Sequence, residues 1–115
     1  SEAIGSFNVI LAQAAQGIGA DLLRSLALDL RSKKPNSIIG LASVVDGKVV
    51  LVVAVDESAQ KIGLKAGQLV KVGSSILGGG GGGKDDFAQG GGVDSSKLAE
   101  AFAEIKRAIL SAAGA

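Results

Sequence analysis

An Asp-Gly pair at Asp46 and Gly47 lies between two runs rich in β-branched residues, at 37–45 and 48–56. This arrangement is the strongest short-range signal for a β-hairpin, because a type I′ turn needs a positive φ angle at both central residues. Both predicted strands carry apolar residues on both faces, whereas a hairpin with one face in water alternates apolar and polar residues. We therefore expect this hairpin to be central in a sheet, or to have its second face covered by helices or by another subunit.

Further segments carry the patterns of regular secondary structure. Residues 6–12 are apolar and partly β-branched, which favours a strand, and apolar residues recur at helical spacing in three other segments. The predicted helices begin near Asp21, Ala66 and Ser95. The sequence therefore predicts an α/β fold (α+β, two-layer), in which a small mixed β-sheet with a central hairpin is covered by about three helices.

The first predicted helix carries leucines at 22, 23, 26 and 30, and we expect this stripe to be part of the core. Asp21 starts the helix, either as its cap or as an acid in its first turn. Pro35 ends it, because a proline disfavours helical geometry at the residue before it.

The composition restricts the chemistry that this chain can perform. Its net charge of +1 is not the charge of a strong, general nucleic-acid binder, so any RNA contact must come from a local patch. The sequence has no Cys and no His, which excludes Cys/His zinc sites, thiol chemistry and histidine acid–base catalysis. The absence of both residue types fits a recognition module, and we expect no catalytic residue, metal or cofactor in this chain.

Length and the N-terminus bear on domain organisation and location. The 115 residues fit one compact domain, residues 1–115, and no apolar run reaches the roughly 18 residues that span a bilayer. Ser1 to Ala3 lacks the basic region of a signal peptide, and a cytoplasmic location is the default expectation. Because the sequence contains no Met, even at position 1, we expect it to be excised from a larger protein.

Residues 78–92 read GGGGGGKDDFAQGGG and contain nine of the chain's 18 glycines. A flexible linker mixes glycine with serine and has no reason to carry a fixed polar cassette. Glycine lets the backbone approach a ligand closely, and successive N–H groups can surround an oxyanion. Lys84 emerges from this run, so its charge and the backbone donors can converge on one phosphate. We predict a glycine-rich binding loop at 78–92.

Other interpretations of this segment stay open. The glycines can serve tight packing against the sheet, with Lys84 merely exposed. Gln89 can bind an RNA sugar or base edge, or its own backbone, and Phe87 is more typical of a core anchor than of a stacking partner for a base. Asp85 and Asp86 can coordinate Mg²⁺ with a phosphate, although one turning the chain and the other solvated is the favoured interpretation. A nucleotide-hydrolase phosphate loop is disfavoured, because Asp85 replaces its hydroxyl residue.

The segment resembles the glycine-rich signature of the DHH-associated domain at the C-terminus of bacterial-type alanyl-tRNA synthetase. That signature runs Gly-Gly, a variable residue, Gly-Gly-Gly, Lys or Arg, Pro, Asp, an apolar residue, Ala-Gln, then small residues and Gly. The matching residues of this chain are Gly78, Gly79, Gly81, Gly82, Gly83, Lys84, Asp86, Phe87, Ala88, Gln89, Gly91 and Gly92. Asp85 stands where the family usually has Pro.

The resemblance implies a non-catalytic, tRNA-binding module of an alanine–tRNA ligase, which helps the aminoacylation and editing domains act on one tRNA. We expect its RNA contacts at Gly79, Gly81, Gly82, Gly83, Lys84, Gln89 and Gly91. The secondary candidates are Arg24, Arg31, Lys33, Lys34 and Lys71, which form a shallow basic rim together with Lys61 and Lys65 if the helices adjoin the glycine loop.

The resemblance also implies partners and cofactors for a parent enzyme. Its partners are alanine tRNA, the other domains of the synthetase and, in some members, a second copy in a homodimer. The parent would use ATP, Mg²⁺ and Zn²⁺. Two other functions stay open, namely an oligomerisation module of the same enzyme and the nucleic-acid clamp of a DHH phosphoesterase.

Overall fold

The computed structural model describes residues 2–114, which form a six-stranded mixed sheet with helices on both faces. The elements in chain order are β1 (Glu2–Ile4), β2 (Phe7–Gln13), α1 (Ala20–Lys33), β3 (Ser37–Val45), β4 (Lys48–Val55), α2 (Glu57–Gln60), α3 (Ala66–Ile76), β5 (Gly81–Gly83), β6 (Phe87–Gly92), a 3₁₀ turn (Ser95–Lys97) and α4 (Leu98–Ala112). The strand order is β1-β2-β3-β4-β6-β5, in which β2 and β3 are parallel and the other neighbours antiparallel. The expected α/β fold with a mixed sheet is confirmed.

The hairpin of β3 and β4 forms in the predicted register and lies in the middle of the sheet. Val45 pairs with Lys48, and Asp46 and Gly47 have φ angles of 51° and 77°, as a type I′ turn requires. β2 flanks the hairpin on one side and β6 on the other. The prediction of a central hairpin is therefore confirmed.

Helices cover the sheet on both faces, so the domain has three layers and not the two that we expected. Leu51 and Ile105 belong to a core cluster under α3 and α4, whereas Leu23, Ile39 and Val52 belong to a second cluster under α1. Successive residues of a strand point to opposite faces. Because β3 and β4 are apolar at nearly every position, each face of the hairpin needs its own cover.

The leucines of α1 are only partly in the core, so the predicted stripe is wrong at two positions. Leu23 is fully buried together with Ala27, but Leu22 and Leu26 have 55% and 38% of their surface exposed. A single helix on this face presents a narrow side to the sheet, and Leu23 and Ala27 occupy it. Asp21 lies in the first turn, and the cap position is Gly19.

The glycine-rich segment is a second hairpin rather than the expected loop. β5 and β6 pair with Gly81 opposite Gly90 and Gly83 opposite Ala88, and β6 continues the sheet from β4. β1 and the short helix α2 were also not predicted. No helix within residues 2–114 has the length and apolar character needed to cross a membrane.

Candidate nucleic-acid interface

Most glycines of the second hairpin are required by close packing of backbone on backbone. A Cβ built on Gly79 would lie 2.1 Å from the carbonyl oxygen of Gly91, and one on Gly91 would lie 2.0 Å from that of Val49. A Cβ on Gly81 would lie 2.4 Å from the Cα of Gly90. Real Cβ atoms essentially never approach another atom within 3.0 Å. These glycines therefore build the hairpin.

Gly80 and Gly82 are different, because the fold leaves room for a side chain at both. A Cβ on Gly80 would have no neighbour within 4 Å, and a Cβ on Gly82 would meet the Cε of Lys71 at 3.9 Å, an ordinary van der Waals distance. Neither residue has the positive φ angle that favours glycine. Packing therefore does not explain a glycine at either position.

Helix α3 is attached to this hairpin at both of its ends. Near its C-terminal end, the N–H of Gly79 donates to the carbonyl of Ser74 at 2.9 Å, and the N–H of Gly91 donates to the Ser74 hydroxyl at 3.2 Å. At its N-terminal end, the N–H groups of Ala66 and Gly67 donate to the carbonyls of the β5–β6 turn, at 2.9 and 3.1 Å. The first amides of α3 are thus occupied, and the helix N-terminus is not an open anion site.

Strand β5 is the edge of the sheet, and part of its backbone faces outwards. The N–H of Gly91 donates to the carbonyl of Gly80, and the N–H of Lys84 donates to that of Phe87. In an antiparallel pair, residues that bond the partner alternate with residues that do not. The N–H groups of Gly81 and Gly83 therefore point away from β6. This edge offers backbone donors without any side chain to shield them.

An open groove of about 420 Å³ lies on the α1 side of β5, and we call it the arginine groove. The residues of this groove that bear on ligand binding are Arg24, Arg31, Gly82, Gly83, Lys84, Asp86, Phe87 and Gln89. The groove combines three cations, one carboxylate and a bare backbone edge. Such a surface suits a phosphate-bearing ligand.

Two contacts join α1 to the second hairpin and shape the arginine groove. The guanidinium of Arg24 lies 4.6 Å from the centre of the Phe87 ring, within the range of a cation–π interaction. Arg31 donates through Nη1 to the carbonyl of Asp86 at 2.8 Å. Phe87 is partly buried against the core cluster under α1, which supports its interpretation as an anchor.

A second groove, of about 290 Å³, lies on the α3 side of the same strand, and we call it the lysine groove. Its lining residues are Lys65, Gly67, Gln68, Lys71, Gly82, Gly83 and Asp85. Gly67 and Lys71 are four residues apart and share a helix face, which is the sequence signal that places Lys71 beside β5. Lys65 was outside our set of candidate RNA contacts.

The two grooves differ in how their cations are paired. Within residues 2–114, none of Arg24, Arg31, Lys71 and Lys84 forms a salt bridge with a carboxylate. Lys65 lies 4.0 Å from the carboxylate of Asp85 in a solvent-exposed pair. The arginine groove is therefore the more positive of the two, while the lysine groove is partly neutralised.

The structure brings together some of the predicted RNA contacts and separates others. The arginine groove contains the predicted contacts Gly82, Gly83, Lys84 and Gln89 together with the secondary candidates Arg24 and Arg31. Lys71 lines the lysine groove, on the other side of β5. The predicted residues that line neither groove are Gly79, Gly81, Gly91, Lys33 and Lys34. Lys33 instead pairs with Asp29 at 2.9 Å.

The acidic residues of the turn do not gather into a metal centre. Within residues 2–114, no group of three or more Asp, Glu, His or Cys side chains is arranged to hold a metal ion.

The exposed carboxylate of Asp94, which follows β6, accepts hydrogen bonds from the N–H and the hydroxyl of Ser96, at 3.1 Å for the N–H. These bonds lower the pKa of Asp94 below its ordinary value of 3.8.

The chain is similar to known proteins in both sequence and fold. The profile of the DHHA1 domain matches residues 6–111. The alanine–tRNA ligase of Kocuria rhizophila is 45% identical over 99% of this chain, and that of Paenarthrobacter aurescens is 48% identical over 88%. The crystal structure of the C-Ala domain of Aquifex aeolicus alanyl-tRNA synthetase superimposes with a TM-score of 0.86, with 31% identity and 96% of each chain covered.

This chain therefore belongs to the DHHA1 domain family, and within it to the C-Ala type found in alanyl-tRNA synthetases. The resemblance carried by residues 78–92 is confirmed. The chain spans 13% and 12% of the length of the two alanine–tRNA ligases that it matches.

Proposed function

We propose that this chain is a non-catalytic module that binds tRNA along the edge of β5, as part of an alanine–tRNA ligase. The observation that carries the proposal is the convergence of unpaired cations on an exposed strand of glycine. Lys84 and Arg24 lie on one side of Gly82, and Lys71 lies on the other. The whole chain has a net charge of only +1, so this patch is a local concentration of positive charge.

The mechanism is recognition of the RNA backbone. The outward N–H group of Gly83 and the ammonium of Lys84 bind phosphate oxygens in the arginine groove, and the exposed amide of Gln89 meets a sugar hydroxyl or a base edge. Phosphate contacts position a protein without reading much sequence. Affinity is therefore modest for the isolated chain and falls as salt rises.

The role in a parent enzyme follows from tethering. A weak contact attached to other tRNA-binding domains acts at a high effective concentration, and it holds one tRNA for successive reactions. The parent would activate alanine with ATP and Mg²⁺ in the cytoplasm, and would remove mischarged amino acids at an editing site that contains Zn²⁺. The sequences of two alanine–tRNA ligases, similar over most of this chain, support that assignment.

The structure removes the observation that favoured the alternative role in oligomerisation. The apolar second face of the β3–β4 hairpin suggested a subunit contact, but α1 covers this face within the chain. The alternative of a clamp in a DHH phosphoesterase is disfavoured by the similarity to alanine–tRNA ligases. Binding of tRNA therefore stays the leading proposal.

Titration of alanine tRNA with the chain, at low and at physiological salt, tests this proposal. Lys84→Ala removes a cation of the arginine groove, and Lys48→Ala is the matched control, since Lys48 is an exposed lysine at the start of β4. We expect salt-sensitive binding that Lys84→Ala weakens by about three- to fivefold and that Lys48→Ala leaves unchanged. Duplex DNA of similar charge should bind less well. Absence of binding at low salt would contradict the proposal.

A further inference from the structure

We infer that an RNA backbone crosses over β5 at Gly82, with one phosphate in the arginine groove and a neighbouring phosphate in the lysine groove. This inference rests on the proposed function and specifies how the ligand lies. It makes the lysine groove a second phosphate site, in which Lys71, a secondary candidate from the sequence, acts together with Lys65.

The β5 edge forms a ridge between the arginine groove and the lysine groove. Gly82 and Gly83 line both grooves, so a single strand of backbone is the ridge that separates them. The Cε of Lys71 lies 3.9 Å from the position of a Cβ on Gly82, which places this side chain directly beside the ridge. A ligand that reaches over Gly82 therefore meets cations on both sides.

Residue 82 is a glycine although the fold has room for a Cβ at this position. Gly79, Gly81 and Gly91 are glycines because a Cβ would collide with backbone atoms, whereas a Cβ on Gly82 fits within the fold. Packing explains neither Gly80 nor Gly82, but of these two glycines only Gly82 lines the grooves, where a ligand needs the backbone bare. Gly82 is the position at which an RNA strand would pass closest to the protein.

The charges on the two sides favour a polyanion over a single anion. A lone phosphate cannot contact Lys84 and Lys71 together if the ridge lies between them. A nucleic-acid backbone carries one charge per nucleotide and can place successive phosphates on either side. Because the first amides of α3 already bond the β5–β6 turn, the lysine groove must bind through Lys65 and Lys71.

Asp85 limits the strength of this second site. Its carboxylate lies 4.0 Å from the ammonium of Lys65 and lines the lysine groove. Its carbonyl bonds the N–H of Ala66, a contact that a substitution of the side chain preserves. Asp85→Asn should therefore free Lys65 for phosphate without changing the turn.

The test is the salt dependence of alanine tRNA binding to wild type, Lys71→Ala, Lys84→Ala and the double variant. Log K falls as log salt concentration rises, and each phosphate contact makes this slope steeper by about 0.7 to 0.9. We expect each single variant to make the slope shallower by about that amount, and the double variant to make it shallower by about twice as much. Lys48→Ala, which also loses one charge, should keep the wild-type slope. Asp85→Asn should tighten binding by about two- to threefold at low salt.

The contradicting results separate the two proposals. If Lys71→Ala behaves like Lys48→Ala while Lys84→Ala weakens binding, the crossing over β5 is wrong and the tRNA-binding function stands. If wild type binds no tRNA at low salt, both are wrong. Thermal unfolding of every variant shows whether a loss of binding reflects a loss of folded protein instead; Lys71 and Lys84 are exposed, so we expect unchanged unfolding temperatures.

Discussion

The β3–β4 hairpin and the β5–β6 hairpin lie side by side in one sheet, with β4 and β6 as neighbours. The first is held by side chains, since its apolar residues fill core clusters on both faces. The second is held by its backbone, because glycines let β5, β6 and the end of α3 approach one another closely. Leu51 of β4 pairs with Gly90 of β6. A large residue of the first hairpin thus lies opposite a residue of the second hairpin that has no side chain.

This difference explains which hairpin the sequence could predict. The β-branched runs and the Asp46-Gly47 turn encode the first hairpin in local patterns of side chains, and its register followed from them. Glycine has no side chain and a run of glycines therefore has no hydrophobic periodicity, so the sequence predicts a loop where the second hairpin forms. Only tertiary packing against Val49 and Ser74 reveals its strands.

The candidate site was predictable to a similar degree. Lys84, Gln89 and Gly82, which we predict as RNA contacts, line one groove, as their closeness in sequence favours. The roles of Arg24 and Lys65 depend on how α1 and α3 pack on the sheet, which no local pattern specifies. The two exposed leucines of α1 show the same limit, because helical spacing alone does not tell which side meets the sheet.

The stability of the two hairpins should respond to opposite kinds of substitution. The largest effect is expected when a side chain is added to the second hairpin. Gly91→Ala should lower the free energy of unfolding by about 4 kcal/mol or more, since the new Cβ would lie 2.0 Å from the Val49 carbonyl oxygen. Gly80→Ala is the matched control and should change it by less than about 0.5 kcal/mol. Urea unfolding measures both; equal effects would refute the packing argument.

The first hairpin should instead be sensitive to the loss of a side chain. Leu51 is fully buried under α3 and α4, so Leu51→Ala should cost about 3 kcal/mol in urea unfolding. Val50→Ala, on the same strand but partly exposed, is expected to cost less. A loss at Leu51 no larger than that at Val50 would contradict the view that buried side chains hold this hairpin.

The smallest effect is expected at the exit of the second hairpin, where Asp94 bonds Ser96. Because the pKa of Asp94 is lowered in the folded chain, its carboxylate stabilises the fold above the ordinary value of 3.8 and loses this contribution as pH falls through the lowered pKa. Asp94→Asn cannot titrate at this position. Its unfolding temperature should therefore approach that of wild type as the solution becomes acidic, and a constant difference would contradict the assignment.

The central claim is that glycine serves packing at some positions of residues 78–92 and ligand approach at Gly82. Gly82→Val and Gly80→Val form the most direct test, because a Cβ meets no close neighbour at either position and, of the two glycines, Gly82 alone lines the grooves. We predict that both variants unfold at the wild-type temperature. Gly82→Val should weaken alanine tRNA binding by at least about tenfold, because its side chain keeps the phosphate from the outward N–H of Gly83, a loss of about one charge-assisted hydrogen bond. Gly80→Val should bind as wild type does. Equal binding by the two variants would contradict the claim.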